Sequence, residues 1–351
     1  MFCFWKCEKA GPVLLLGGFG FCLLISGCRT ADWDYHNKLG VAYAEQGQYD
    51  LAISEFNRAI EIDSDRAGVY FNRGLAYAKR GQYEKAVLDY YTAIELNPRH
   101  AQAFFCRGYA YTKIGEYDLA IADFDRAIVI DPRYSEAFFC RGYARAKKAQ
   151  YDAAIADFDK AIVLDPNDAA AYRNRGNAYA ATSQYGLAIS DYDDAIRLDP
   201  NNAKTYFHRG YARMMEQQYR MAISDYGKAL RLAPDDAIAY RSRGIAYAKL
   251  SRYDPAISDY TEAIAINPTD AVAYYNRGLA YAKKGEYDLA ILDYNEAIKL
   301  NPEDPALYRS RASAYYHQGD YDRALEDINR AQGTWGAAEP DELPEETLQY
   351  D

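Results

Sequence analysis

Histidine is nearly absent from this chain. Four occur in 351 residues, His36, His100, His208 and His317, and no histidine and cysteine stand at metal-ligand spacing. No glycine-rich loop follows a strand pattern, which removes the phosphate-cradling and dinucleotide motifs. Basic charge is also in deficit, with 41 Lys and Arg against 51 Asp and Glu and a formal charge of −10. That balance is wrong for a surface that must neutralise phosphates. The apolar run Val13 to Ile25 is glycine-rich and shorter than the roughly 20 residues of a membrane span. These absences point away from catalysis, from a metal or other cofactor, and from a nucleic-acid partner.

What is present begins with an export pattern. Lys6 and Lys9 precede the apolar run and small residues lead up to Cys28, the layout of a secretory signal peptide. The segment Leu24-Ile25-Ser26-Gly27-Cys28 resembles the lipobox of bacterial lipoproteins, where cleavage precedes a cysteine whose sulfur carries diacylglycerol. The resemblance implies a signal peptide over 1–27, and a lipidated Cys28 with a short linker over 28–32. It also implies acyl chains enough for stable membrane anchoring. Arg29, rather than Asp, follows the cysteine. By the enterobacterial sorting rule that implies an outer-membrane protein of the cell envelope, facing the periplasm.

The rest is repetitive, and a period outranks any domain count taken from length. Glycines recur every 34 residues from Gly40 to Gly278, and Ala312 continues the series. With these at position 8, nine repeats run without insertion from 33 to 338. Position 17 is Tyr in all nine, and positions 10, 20 and 27 are Ala in all nine. Position 24 is Phe or Tyr except at Ile328, and Pro fills position 32 from Pro98 to Pro302. Positions 4, 8 and 11 share one helical face, as do 20, 24 and 27, so each repeat predicts two amphipathic helices. Gly at position 15 in five repeats suits the end of the first helix. The residue before Pro ends the second. Asp168, Asp236, Asp270 and Asp304 are placed to cap the next first helix. Cys106 and Cys140 sit at one repeat position in adjacent repeats, about 10 Å apart if the helices stack. That exceeds disulfide reach, so free thiols are expected.

This pattern is similar to that of the tetratricopeptide repeat (TPR) family: an aromatic at 4, Gly at 8, Tyr at 11, Ala at 20, an aromatic at 24, Ala at 27 and Pro at 32. Arg145 and Arg213 depart from it at position 11, and Ser64 and Gly336 at position 32. The resemblance implies an all-α fold, a right-handed superhelical solenoid of nine helical hairpins, in which each hairpin buries its faces against its neighbours. It further implies a non-catalytic scaffold that holds peptides or partner proteins in a concave groove. A structural subunit or pilotin-like factor of an outer-membrane complex is the alternative. The end repeats are expected to be polar caps, through His36 and Lys38 at one end and Gln332 at the other. Residues 339–351 read as an acidic disordered tail.

Two features go beyond the family pattern. Position 7 is Arg in eight repeats (73, 107, 141, 175, 209, 243, 277 and 311), and position 23 is Asp in the same eight. Facing positions of an antiparallel hairpin have a nearly constant sum, so these two are expected to form intra-repeat salt bridges, the kind of paired site that favours Arg. On the groove side, positions 5 and 9 give Phe71, Leu75, Phe105, Tyr109, Phe139 and Tyr143, expected as an exposed apolar stripe that marks an interaction surface. Farther on, Arg173, Phe207, Arg241, Tyr275 and Arg309 alternate at position 5, with Asn177, Lys204 and His208 nearby. A peptide with apolar anchors toward the N-terminal half and acidic groups toward the C-terminal half is the expected ligand.

Overall fold

The computed structural model of the protein describes residues 32–333. The signal-peptide and lipidation assignments, Cys28 included, and the acidic tail at 339–351 lie outside the described residues. Within these, the chain is all α, eighteen helices forming nine hairpins. The first, or A, helices are Trp33–Glu45, Ala67–Lys79, Ala101–Ile114, Ser135–Lys147, Ala169–Ala181, Ala203–Met215, Ala237–Lys249, Ala271–Lys283 and Pro305–Gln318. The B helices are Tyr49–Ile62, Tyr83–Leu96, Tyr117–Ile130, Tyr151–Leu164, Tyr185–Leu198, Tyr219–Leu232, Tyr253–Ile266, Tyr287–Leu300 and Tyr321–Gly333. The chain divides after Ala178 into two compact units. Within each, the helices of a hairpin pack on one another, each B helix packs on the A helix that follows, and successive A helices touch.

The repeat residues make these boundaries. Asp236 and Asp270 accept hydrogen bonds from the backbone N–H of Ala239 and Ala273, each at 3.0 Å, and Asp304 from that of Ala306 at 2.9 Å. Asp168 accepts from two N–H groups, those of Ala170 and Ala171. Each thereby satisfies donors that the first helical turn leaves open. Each A helix ends at position 15 in the left-handed region. Gly47, Gly81, Gly115, Gly285 and Gly319 fill that position with φ between 73° and 86°, but Ala149, Ser183, Gln217 and Ser251 adopt φ of 56–58° without being glycine.

Inside a hairpin, the glycine at position 8 admits the ring at position 24. A Cβ on Gly244 would stand 2.7 Å from the Tyr260 ring, and one on Gly40 2.6 Å from Phe56. The alanines at position 20, from Ala52 to Ala290, are fully buried. Between repeats, position 18 pairs with position 14 of the next hairpin: Asp50 with Arg80, Asp118 with Lys148, and Asp254 with Lys284 at 2.7 Å.

The end repeats differ from the polar caps expected. His36 is buried, and its Nδ1 lies 2.6 Å from Glu55, which stands where the other repeats carry Asp. At the other end, Tyr321 and Leu325 are 63% and 59% exposed at positions that are buried or half-buried in every other repeat. No A helix follows among the described residues to cover them.

Candidate functional site

The position 7 arginines form a polar system that repeats from hairpin to hairpin. Arg107 donates from Nε and Nη2 to Asp123 at 2.8 and 2.7 Å, and Arg243 does the same to Asp259 at 2.8 and 2.7 Å. The same two-pronged contact joins Arg73 to Asp89, Arg141 to Asp157, Arg209 to Asp225, Arg277 to Asp293 and Arg311 to Asp327. These pairs are the expected intra-repeat salt bridges, in the fork geometry that a guanidinium offers a carboxylate. Each guanidinium also lies over the aromatic ring three residues earlier, as Arg243 over Tyr240 at 5.5 Å.

The remaining Nη1 was not anticipated. It reaches back to position 25 of the preceding repeat: Arg73 to Asn57 at 2.7 Å, Arg141 to Asp125 at 2.6 Å, Arg209 to Asp193 at 2.6 Å, Arg277 to Thr261 at 3.0 Å. One arginine thus closes its own hairpin and ties it to the previous one. The two departures at position 11 join the same system, with Arg145 donating to Asp157 at 2.9 Å and Arg213 to Asp225 at 2.7 Å. Burial, the largest effect, pushes the carboxyls of Asp89 and Asp123 above the usual range, against the pull of Arg73 and Arg107. The aspartate is therefore the member that depends on its partner.

On the A-helix face, the expected exposed stripe is corrected. Phe105 is fully buried, with ring centroids 5.8 Å from Phe124 and 4.8 Å from Tyr134, and Phe71 packs on Tyr90 and His100 in the same way. Phe139 and Tyr109 are buried as well. Position 5 is packed because the position 24 ring lies against it in each of these repeats, joined by His100 and Tyr134 at position 34 in two of them. Only Leu75 and Tyr143 of the six remain half-buried.

In the later repeats, Phe207 and Tyr275 are half-buried and pack on Tyr226 and Tyr294. His208 is half-buried between Phe207 and Tyr192. Asn177 is buried, Arg173 half-buried, and Lys204 and Arg309 are exposed. Arg241 is not open to an acidic ligand in the way expected. Its Nη1 is 2.8 and 2.9 Å from the oxygens of Asp270, the residue that caps the following A helix. Cys106 and Cys140 are free thiols, both buried.

What this face does offer is a pair of rows one helical turn apart. Position 9 supplies half-buried apolar side chains, Leu75 and Tyr143 in the first unit and Tyr211, Ile245 and Leu279 in the second. Position 13 supplies Lys79, Lys113 and Lys147, then Lys249 and Lys283. Lys113 lies 5.3 Å from the Tyr109 ring and Lys147 5.5 Å from that of Tyr143. Among the described residues no group of His, Cys, Asp and Glu could hold a metal ion. No helix among them is long and apolar enough to cross a membrane.

Comparison with known proteins agrees with the geometry. Models described as TPR repeat match residues 40–81, 74–115, 146–183, 176–217, 214–251 and 246–285, and tetratricopeptide repeat models match 101–134, 271–304 and 293–326. The chain belongs to the tetratricopeptide repeat family. It is a protein-interaction scaffold of that family, whose members are typically non-catalytic. No curated protein matches it at a significant level. Among solved structures it is similar to MamA at 31% identity, covering 45% of this chain and 93% of that one with a TM-score of 0.44. It is similar to YrrB, described as a TPR protein with an unusual peptide-binding site, at 24% identity over 56% of this chain and 97% of that one, TM-score 0.48. A tetratricopeptide repeat protein from Parabacteroides merdae shares the fold at 19% identity, over 71% of this chain and 98% of that one, TM-score 0.53.

Proposed function

We propose that this TPR scaffold holds segments of partner proteins against its A-helix face, and that it does so lipid-anchored in a bacterial envelope through Cys28. The observation that carries the binding reading is the apolar row at position 9 with lysines one turn on, Leu75 with Lys79, Tyr143 with Lys147, Ile245 with Lys249 and Leu279 with Lys283. Half-buried apolar groups beside cations suit a peptide that brings apolar anchors and carboxylates. Of the positions named from the sequence, Leu75, Tyr143, Arg173, Lys204, Phe207, His208, Arg241, Tyr275 and Arg309 are not fully buried, while Phe71, Phe105, Phe139, Tyr109 and Asn177 are buried.

A photo-crosslinker at Leu75 or Leu279 should capture a partner, and the same group at Ser224 on a B helix should not. Capture from the B helix alone would favour the second reading, an assembly subunit that uses its outer surface. That reading draws support from Val129 and Val163, 72% and 74% exposed at equivalent positions of adjacent repeats. The anchor is tested separately: Cys28→Ala should abolish acyl labelling and release the protein from membranes. A variant that stays membrane-bound would replace the lipid with an uncleaved N-terminal anchor.

A further inference from the structure

The position 13 lysines of the second unit have an unusual setting. Lys249 and Lys283 are exposed, and neither makes an ion pair among the described residues. In contrast, the neighbouring Lys284 is bound to both Asp254 and Glu286 at 2.7 Å. A cation in the last turn of a helix is favoured by the helix dipole. The dipole does not account for the half-buried Ile245 and Leu279 one turn earlier on the same face. Together the four present two cations and two apolar groups in register on adjacent A helices, open on a chain whose formal charge is −10.

The chain carries a segment of matching chemistry. Residues 339–351 hold six carboxylate side chains and no Lys or Arg. Glu339, Glu342 and Glu345 stand three residues apart, with Leu343 between the last two. On an extended left-handed backbone, which rises about 3.1 Å per residue, carboxylates three apart repeat at about 9 Å. Packed helices lie about 8–10 Å apart. The carboxylate period of an extended chain is therefore of the same size as one helix spacing. Reach is sufficient. From Gly333, nine extended residues to Glu342 span about 30 Å, whereas Lys283 lies about 20 Å along the helix axis and up to two helix spacings, about 20 Å, across, a separation of about 28 Å.

We propose that the acidic segment 339–351 docks on the A-helix face of its own second unit, Glu342 on Lys283 and Glu345 on Lys249, with Leu343 against Leu279 and Ile245. The inference rests on the reading of this face as a peptide groove. The segment acts there as a tethered competitor, which partner peptides of similar chemistry must displace. Because it is tethered, a weak contact suffices to keep the face occupied.

Carbodiimide crosslinking of the full chain, followed by mass spectrometry, tests the contact. Lys249 and Lys283 should link to Glu342, Glu345 or Glu346 in the monomer band, and the links should fade in salt of about 0.5 M, where exposed charges are screened. Absence of these links overturns the proposal, and links confined to a dimer band assign the face to the tail of a second copy instead. Competition is read with a labelled peptide of residues 337–351. The full chain carrying E339Q, E342Q and E345Q should bind it at least tenfold more tightly than the wild type; equal affinity removes the tethered competitor. If Leu279 crosslinks a partner in a chain that shows no tail links, the groove stands and the tail alone is rejected.

Discussion

Arg107 and Asp123 meet across the third hairpin through two hydrogen bonds of 2.8 and 2.7 Å, sixteen residues apart and both largely out of solvent. The pair illustrates what Arg at position 7 and Asp at position 23 do in seven repeats. A charged contact replaces apolar packing, and it is tolerated because every prong is matched. Removing one side should be costly. Arg107→Leu is expected to lose about 3–5 kcal/mol, while Arg107→Leu with Asp123→Leu should lose much less, because no charge is then stranded. Chemical denaturation of the two singles and the double measures it; additive losses would mean no coupling.

That single variant should also acquire a pH dependence. Burial already raises the Asp123 carboxyl, and loss of Arg107 removes the opposing pull. A folded pKa above the unfolded one stabilises below the unfolded value and loses that stabilisation as pH rises through the folded value. The deficit of Arg107→Leu relative to wild type should therefore grow from pH 5 to pH 8. A deficit independent of pH would place the cost in lost packing.

Gly244 and Tyr260 approach closely between the helices of the seventh hairpin, where an added Cβ would lie 2.7 Å from the ring. Gly244→Ala should cost about 1–3 kcal/mol through overpacking. The ninth repeat carries Ala312 and Ile328 at the same two positions. Gly244→Ala combined with Tyr260→Ile should recover part of the loss, and a double variant less stable than either single would show that the ring matters for more than its volume.

The hairpins were legible because every repeat buries the same positions, so one period exposes caps, crossings and core together. The Arg–Asp pairing was legible for a related reason, that both partners lie in one hairpin. The contact to position 25 was not. It crosses to the previous repeat, and its partner varies through Asn57, Asp125, Asp193 and Thr261, so no single residue type announces it. Position 5 differs from expectation because helical periodicity assigns it to the A-helix face, whereas the position 24 ring of the B helix packs on it, as Phe158 does on Phe139. The signal was present in the pairing of types, Phe71 with His100, Phe105 with Tyr134 and Arg241 with Asp270. It is a partial signal, because Phe139, Phe207 and Tyr275 stand in repeats whose position 34 is aspartate.

Four consecutive repeats hold a residue other than glycine in the left-handed turn after the A helix, Ala149, Ser183, Gln217 and Ser251. That conformation costs an ordinary L residue about 1–2 kcal/mol, and glycine escapes it at some cost in chain entropy. Ala149→Gly and Ser251→Gly should each raise stability by up to about 1 kcal/mol, read as an upward shift of Tm. Gly115→Ala, made at the same position of the third repeat, should lower it.

His100 caps the third A helix through its imidazole, with Nδ1 accepting the Ala103 N–H at 3.1 Å while the ring packs 4.8 Å from Phe71. Burial holds its pKa below the usual imidazole range, since a charged ring would be desolvated. Protonation would also remove the lone pair that makes the cap. The sign follows: a depressed folded pKa contributes stability above the unfolded value, which is lost as pH falls through the folded value. Loss of the cap should show between pH 6.5 and pH 5 as a fall in stability of up to about 1 kcal/mol, the worth of one N-cap. Asparagine caps without titrating, as Asn202 does by accepting the Thr205 N–H at 3.2 Å. His100→Asn should therefore match the wild type near pH 8 and fall less in Tm toward pH 5. Parallel Tm curves for the two proteins across that range would show that His100 keeps its cap in acid and that the pH dependence arises elsewhere.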